Sequence, residues 1–208
     1  DILDDAVAQT LDTTITHRAP LSGGCIGEVY RLSLSDGTQV VAKVDTSPTP
    51  RLDIEGYMLA YLANNSALPV PKVLRATPDI LLLECVEGDS QFSKGSQEHA
   101  AQLLADLHNV RGAAHGLERD TLIGGLHQPN PATESWIAFF RDHRLLHMAR
   151  HAHQEGIMSA SLLKRTEHFA ANLDKFLHEP DHPSLLHGDV WTTNVLANHG
   201  RITAFLDP

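Results

Sequence analysis

The sequence predicts an α+β fold in which a β-rich N-terminal lobe precedes a mainly helical C-terminal lobe. Two β-rich runs flank a turn signal at residues 35–37, and a further apolar run of strand type follows at residues 80–86. Amphipathic patterns that indicate helices lie at residues 51–66, 95–110, 134–154 and 161–179. The change from strand to helix patterns predicts an N-lobe over residues 1–86 and a C-lobe over residues 87–208.

The composition is that of a globular protein with an excess of acidic residues. The 208 residues are 42% hydrophobic and 20% charged, and the formal net charge is -10. Nucleic-acid surfaces need clustered Lys and Arg, so we expect no nucleic-acid partner. We also expect no membrane partner, because no apolar run reaches the roughly 18 residues of a membrane helix and the N-terminus lacks the order of a signal peptide. The two cysteines are too few for a disulfide framework, which indicates a reducing, cytoplasmic environment.

Residues 185–208 contain the residue spacing of a phosphoryl-transfer site. Asn194 follows Asp189 by five positions and Asp207 comes thirteen positions later, as in a kinase catalytic loop and its metal-binding Asp. We predict that Asp189 accepts the proton of a hydroxyl acceptor, and that Asn194 and Asp207 supply oxygen ligands to Mg²⁺. His187 is expected to brace the loop through a hydrogen bond. Asp189 alone is also typical of a turn after glycine, so the prediction depends on the combined spacing.

A candidate nucleotide cradle precedes this segment in the chain. Lys43 lies centrally in the run VVAKV, where a cation can reach the phosphates of ATP, and Glu55 on the following helix would hold it in place. A glycine-rich turn before Lys43 would bring backbone amides close to phosphate oxygens. Its predicted contact residues are Gly23, Gly24, Cys25 and Gly27. Each feature alone is typical of an ordinary turn or a solvated face, and only their order favours ATP binding.

The end of the apolar run at residues 80–86 is a candidate hinge between the lobes. We predict that Glu84 and Val86 meet the adenine of the nucleotide there, and an ordinary strand end is the alternative. Cys25 suggests a further hypothesis, because a thiol beside phosphate-binding amides would have a lowered pKa and be open to oxidation or to an intermolecular disulfide. A small residue that fits a turn is the alternative for Cys25.

Four separated stretches resemble a known family. The stretch HGDVWTTN resembles the HGDxxxxN loop of the aminoglycoside phosphotransferase and choline kinase superfamily. Trp191 makes it similar to the HGDLWxGN form of the fructosamine kinase (ketosamine 3-kinase) family. The stretches SGGCIGEVY, IGGLHQPNPATESWIAFFRDHRL and FLDP resemble further motifs of that family. Together the motifs extend over nearly the whole chain.

The resemblance implies a two-lobed protein-kinase-like fold that uses ATP and Mg²⁺ to phosphorylate the sugar 3-hydroxyl of ketosamines. The substrate would be a small-molecule ketosamine or a glycated amine, with Trp191 beside the acceptor sugar, and the protein would be a monomer or a homodimer. Val190, Thr192, Thr193 and Thr121 depart from the usual residues of the family, which leaves the acceptor preference open. The chain stops at Pro208, directly after the last predicted metal ligand, so we expect a C-lobe truncated at its C-terminus.

Two other functions stay open from the sequence. One is a kinase of another small hydroxyl compound of the aminoglycoside, choline or homoserine type, against which Trp191 and the QPN segment argue. The other is a non-catalytic nucleotide-binding protein. Retention of Asp189, Asn194 and Asp207 argues against this second alternative.

Overall fold

The computed structural model describes residues 1–21 and 27–208. Gly23, Gly24 and Cys25 of the predicted glycine loop, and with them the redox hypothesis for Cys25, lie outside the described residues. The chain divides into two compact units: unit 1 comprises residues 1–110, 122–125 and 186–208, and unit 2 comprises residues 111–121 and 126–185. The predicted lobe boundary after residue 86 stays a prediction. Within the described ranges, no helix has both the length and the apolar character that crossing a membrane requires.

The strands of unit 1 form a five-stranded antiparallel sheet with the order β1-β2-β3-β5-β4, and a separate two-stranded sheet made of β8 and β9. The strand bounds are β1 (Ile15–Pro20), β2 (Glu28–Leu34), β3 (Gln39–Val44), β4 (Val73–Ala76), β5 (Ile80–Glu84), β6 (Thr121–Ile123), β7 (Leu126–Gln128), β8 (Val195–Asn198) and β9 (Arg201–Phe205). Within β6 the division between the two units falls after Thr121, and β7 lies wholly in unit 2.

The helices divide between the units, with α1, α2 and α3 in unit 1 and α4, α5 and α6 in unit 2. Their bounds are α1 (Ile2–Leu11), α2 (Leu52–Asn65), α3 (Lys94–His108), α4 (Trp136–Phe140), α5 (Leu146–Gln154) and α6 (Ala160–Ala170). The sequence patterns at residues 51–66 and 95–110 thus correctly predicted α2 and α3.

Both faces of the five-stranded sheet are covered, which explains the uninterrupted apolar run of β5. Ile80 and Leu82 pack with α1 residues on one face, whereas Leu81 and Leu83 pack with α2 residues on the other face. Side chains alternate between faces along a strand, so a strand buried on both faces has no polar positions. Lys43 pairs with Leu81 in the register of β3 and β5, which places it on the α2 face.

Unit 2 corrects two of the helix predictions. The segment predicted as one helix over residues 134–154 consists of α4, a π-helical turn over Arg141–Leu145 and α5. Ser135 caps α4, because its hydroxyl accepts a hydrogen bond from Ala138 N. The helix predicted over residues 161–179 ends at Ala170, and a short 3-10 turn follows at Leu173–Lys175. The apolar stripe expected there is only partly buried, since Phe176 is 63% exposed.

Candidate functional site

The segment before β8 holds the predicted base against a buried asparagine. A 3-10 turn over Thr192–Asn194 places Asn194 at the start of β8, where its side chain is buried. Asn194 Nδ2 donates to Asp189 Oδ2 at 3.0 Å and to the Asp189 backbone carbonyl at 3.1 Å. These bonds fix one oxygen of the Asp189 carboxylate and leave Oδ1 for another partner.

The hairpin of β8 and β9 brings Asp207 beside this pair. Leu206 N donates to the carbonyl of Asn194 at 2.8 Å, directly after the end of β9. Asp207 has a positive φ of 51°, a backbone conformation in which Asp is more common than most residues. The β8–β9 hairpin therefore determines the distance between Asn194 and Asp207, which are thirteen positions apart in sequence.

Lys43 forms a buried ion-pair cluster with two carboxylates. Its Nζ donates to Glu55 Oε1 at 2.7 Å and also to Asp207 Oδ1. Burial alone would lower the pKa of Lys43, but the charges of Glu55 and Asp207 outweigh it, so the pKa is raised and the ammonium stays protonated. Burial raises the pKa of Glu55 against the opposing effect of Lys43. The predicted Lys–Glu pair is thus formed, and Asp207 shares its cation.

His187 braces the loop on its inner side. Its side chain is buried and its ring packs against Phe205, with 5.8 Å between the ring centroids. Nδ1 accepts a hydrogen bond from Asp189 N at 3.3 Å, which fits the expected bracing role. Burial lowers the pKa of His187, although the nearby carboxylates of Asp189 and Asp207 oppose this shift. The ring is therefore neutral at pH 7.

Unit 1 contains a cavity of about 160 Å³ that is lined by most of the predicted site residues described above. Among the predicted site residues, it is lined by Lys43, Glu55, Asp189, Trp191, Asn194 and Asp207. Trp191 is 56% exposed, so a large part of its ring is open to a ligand. The segments that build the cavity come from β3 and the residues after it, α2, the end of β6, the residues before β8 and the residues after β9. Their sequence separation means that only the folded sheet and hairpin assemble the site.

Three predicted nucleotide-contact residues in the described part of the chain lie outside the lining of this cavity: Gly27, Glu84 and Val86. The Glu84 carboxylate accepts a hydrogen bond from Lys72 N at 3.3 Å, so it supports the junction of β4 and β5. Val86 lies three residues before Asp89, which exchanges backbone hydrogen bonds of 3.0 and 2.8 Å with Ala197 of the β8–β9 hairpin. Gly27 passes close to the backbone of β3 and has a positive φ of 73°.

The cavity also has lining residues that the sequence interpretation missed. They are Asp45, Thr49, Arg51, Leu52, Met58, Leu122, Ile123, Gly124, Thr193 and Pro208. Arg51 could have been predicted as a lining residue, because it directly precedes α2 and lies about one helical turn before Glu55, a predicted site residue. The apolar lining residues could not have been predicted, because a residue that lines a cavity and a residue buried in the core have the same sequence pattern.

The donor set fits a divalent cation bound together with phosphates. Asn194 uses its amide nitrogen for Asp189, which leaves its Oδ1 as a ligand, and Asp207 offers a carboxylate oxygen. No group of three or more His, Cys, Asp or Glu side chains suited to a metal occurs in the described ranges. Mg²⁺ is commonly held by one or two carboxylates plus substrate phosphates and does not need such a cage. The lining carboxylates of Asp45, Glu55, Asp189 and Asp207 outnumber the cations Lys43 and Arg51, which favours a cation over a bare anion.

Comparison with known proteins identifies the family that the sequence motifs resemble. The sequence pattern of the fructosamine kinase family matches residues 3–208. A protein assigned as a ketoamine kinase from Synechocystis sp. (strain PCC 6803) is 30% identical over 191 residues, covering 86% of this chain. The match covers 61% of that relative, so the chain spans about three fifths of its length.

Solved structures share the fold. A crystal structure assigned as a fructosamine-3-kinase from Thermobifida fusca YX-ER1 superposes with a TM-score of 0.86 at 25% identity, covering 99% of this chain and 72% of that one. A macrolide 2'-phosphotransferase type I superposes with a TM-score of 0.65 at 17% identity, covering 97% of this chain and 68% of that one, and this likeness concerns the fold alone. The predicted protein-kinase-like α+β fold is therefore confirmed. Since the family match extends over nearly the entire sequence, the chain belongs to the fructosamine kinase family.

Proposed function

We propose that the chain carries the active site of an ATP-dependent kinase that phosphorylates the sugar 3-hydroxyl of ketosamines. The observation that carries the proposal is the hydrogen-bonded group of Asp189, Asn194 and Asp207 in one cavity with Lys43. Membership of the fructosamine kinase family supports the acceptor class. Fructosyl and ribulosyl amines, free or attached to protein, fall within the proposed substrates.

Asp189 is the proposed general base. Its Oδ2 is held by Asn194, so Oδ1 can accept the proton of the acceptor hydroxyl as that oxygen bonds to the γ-phosphorus of ATP and the bond from the γ-phosphorus to the departing ADP breaks. The carboxylate is positioned before the substrate binds, which lowers the entropic cost of reaching the reactive geometry. Trp191 would contact the acceptor sugar with its exposed ring face.

Lys43 and Glu55 are the proposed phosphate-positioning pair. The raised pKa of Lys43 keeps its ammonium charged despite burial, as contact with phosphate oxygens requires. Asn194 and Asp207 would hold Mg²⁺, which would offset the charge of the triphosphate when bound. Backbone amides of the glycine loop at residues 22–27 would contact the phosphates, and Glu84 and Val86 would meet the adenine.

ATP consumption by the purified chain with a fructosyl-amine or ribulosyl-amine tests the proposal. The Asp189→Asn variant removes the base, and Asp5→Asn is a matched control because Asp5 is an exposed residue of α1 outside the cavity. We expect Asp189→Asn to lower kcat by about 10²- to 10⁴-fold, the usual contribution of a general base. Asp5→Asn should retain the parent rate.

Three outcomes would contradict the proposal. Equal rates in the parent and the Asp189→Asn chain would exclude Asp189 as the base. Turnover with choline or an aminoglycoside but with no ketosamine would assign a different acceptor. Nucleotide binding without turnover of any acceptor would favour the non-catalytic alternative.

A cytoplasmic location and a monomeric or homodimeric state complete the proposal, and size-exclusion chromatography with light scattering tests the oligomeric state.

A further inference from the structure

The turn between β6 and β7 forms a wall of the cavity and is tied to the start of α2. Leu122, Ile123 and Gly124 line the cavity together with Arg51. Arg51 Nη2 donates to the carbonyl of Gly125 at 3.0 Å. All these residues belong to unit 1, although residues on both sides of the turn belong to unit 2. The Arg51 side chain therefore hydrogen-bonds this turn to the start of α2.

The segment that leads to Arg51 is held by a hydrogen bond to Asp45. Asp45 is a buried carboxylate that accepts a hydrogen bond from Ser47 N at 2.9 Å. Hydrogen bonds from Ser47 lower the pKa of Asp45, and the backbone amide and the charge of Arg51 lower it further. An ionised, buried Asp45 thus orders the segment that leads into α2. The guanidinium of Arg51 projects from an anchored backbone, which reduces the entropic cost of its bond to Gly125.

The wall formed by the turn is apolar where it meets the cavity. Leu122 and Ile123 contribute aliphatic side chains, and Met58 of α2 lines the same cavity. Aliphatic side chains offer nothing to phosphate oxygens, which need positive charge or N–H donors. The proposed phosphate-binding groups, Lys43 and the metal ligands, lie elsewhere in the lining. The apolar wall therefore suits the part of a ligand that carries neither phosphate nor hydroxyl groups.

We propose that the turn at residues 122–125 selects the acceptor by contacting the carbon substituent on its amine, and that Arg51 is a positioning residue for this turn. The inference rests on the proposed function, in which the acceptor is a ketosamine. It adds which part of the acceptor is recognised and which residues contact that part. Arg51 directly precedes α2, and Glu55, which accepts a hydrogen bond from Lys43, lies four residues further along the chain in that helix.

Replacement of Arg51 by Met tests the positioning role without any substrate. Met keeps an unbranched side chain but cannot donate to Gly125 O, whereas Arg51→Lys keeps a donor and a charge. Arg31, an exposed residue of β2 outside the cavity, provides the matched Arg31→Met control. We expect amide hydrogen exchange at residues 121–126 to be about tenfold faster in Arg51→Met than in the parent. Arg51→Lys should recover part of the protection, and Arg31→Met should match the parent.

Steady-state kinetics test the link to the acceptor. Arg51→Met should raise the KM for the ketosamine about tenfold while the KM for ATP stays within twofold of the parent, because a misplaced wall affects acceptor geometry. Ile123→Ala should lower kcat/KM for a ketosamine of an apolar amine such as leucine about tenfold more than for one of glycine. A purely structural role of Arg51 would change both KM values or neither.

The outcomes separate this inference from the proposed function. If the parent phosphorylates ketosamines and Arg51→Met changes neither the exchange at residues 121–126 nor the acceptor KM, the inference is wrong and the function stands. Equal losses for both amines in Ile123→Ala would overturn the selection role of the turn. A parent chain that turns over no ketosamine would overturn the proposed function and the acceptor assignment together, while the exchange data would still decide whether Arg51 positions the turn.

Discussion

Asn194 donates one hydrogen bond to the carboxylate of Asp189 at 3.0 Å, and its own carbonyl accepts from Leu206 N at 2.8 Å. The second bond is to the backbone carbonyl, so Asn194 contacts the proposed base through its side chain and the residue before Asp207 through its backbone. Replacing the Asn194 side chain removes the bond to the proposed base and a proposed metal ligand, Asn194 Oδ1, but leaves the backbone bond in place. This relationship makes Asn194 the most informative position for mutation in the cavity.

Asn194→Ala is expected to lower kcat/KM by about 10- to 100-fold, since it removes a proposed metal ligand and the bond that orients Asp189. The Mg²⁺ concentration needed for half-maximal rate should rise in the same variant. Asn198→Ala, at the far end of β8 and outside the cavity, is the control and should keep the parent values. A fully active Asn194→Ala chain with unchanged Mg²⁺ dependence would contradict the assignment.

Lys43→Met is expected to destabilise the fold by about 3 kcal/mol, because it leaves buried Glu55 without its cation. Adding Glu55→Gln should recover part of this loss, since the uncompensated buried charge is then removed. Urea unfolding of the parent, both single variants and the double variant measures the coupling. Additive effects of the two substitutions would show that the ion pair contributes nothing to stability.

Two glycine substitutions separate backbone strain from steric clash. Gly27 and Gly37 both have positive φ, at 73° and 85°, but a Cβ on Gly27 would lie 2.3 Å from Val44 O, whereas a Cβ on Gly37 has no heavy atom within 4 Å. We expect Gly37→Ala to cost about 1 kcal/mol of unfolding free energy from strain alone. Gly27→Ala should cost at least about 1 kcal/mol more, because β3 must shift. Equal losses in urea unfolding would rule out the close approach at Gly27.

The carboxylate of Glu179 should make the stability of unit 2 depend on pH. Glu179 accepts hydrogen bonds from the Ser135 hydroxyl and from the backbone amides of Trp136 and Ile137 at the start of α4. These bonds, that from Ser135 first, lower its pKa below the ordinary value of 4.5. Its contribution to stability is therefore complete above about pH 4.5 and is lost as the pH falls through the lowered value.

Thermal unfolding between pH 7 and pH 3 checks this pH dependence. The parent chain should have a higher Tm than Glu179→Gln above about pH 4.5, and the difference should shrink towards pH 3. Glu155→Gln, at an exposed position after α5, is the control and should follow the parent at every pH. A difference between the parent and Glu179→Gln that is constant over the whole pH range would contradict the role of the charge.

Much of the fold was predictable because its determinants are local. Strand alternation, the turn at residues 35–37 and the apolar periodicity of α2 and α3 act over a few residues, so they can be read in order along the chain. The helix end at Ala170 was not predictable, because the apolar pattern continues to Leu177 while the backbone turns at Leu173–Lys175. The Glu179 cap was also missed, since it reaches a helix start 43 residues earlier in sequence.

The sequence by itself determined the chemical groups of the candidate site: Asp189, Asn194, Asp207, Lys43 and Glu55 are recognisable from type, order and spacing. Only the tertiary structure decided how they meet. The register of β3 and β5 turns Lys43 towards α2, and the β8–β9 hairpin brings Asp207 to the same ammonium. It also decided that Arg51 anchors the turn at Gly125 and that the Glu84 carboxylate bonds to Lys72 N, outside the cavity lining. Such contacts join residues far apart in sequence, and they arise from packing that no local pattern encodes.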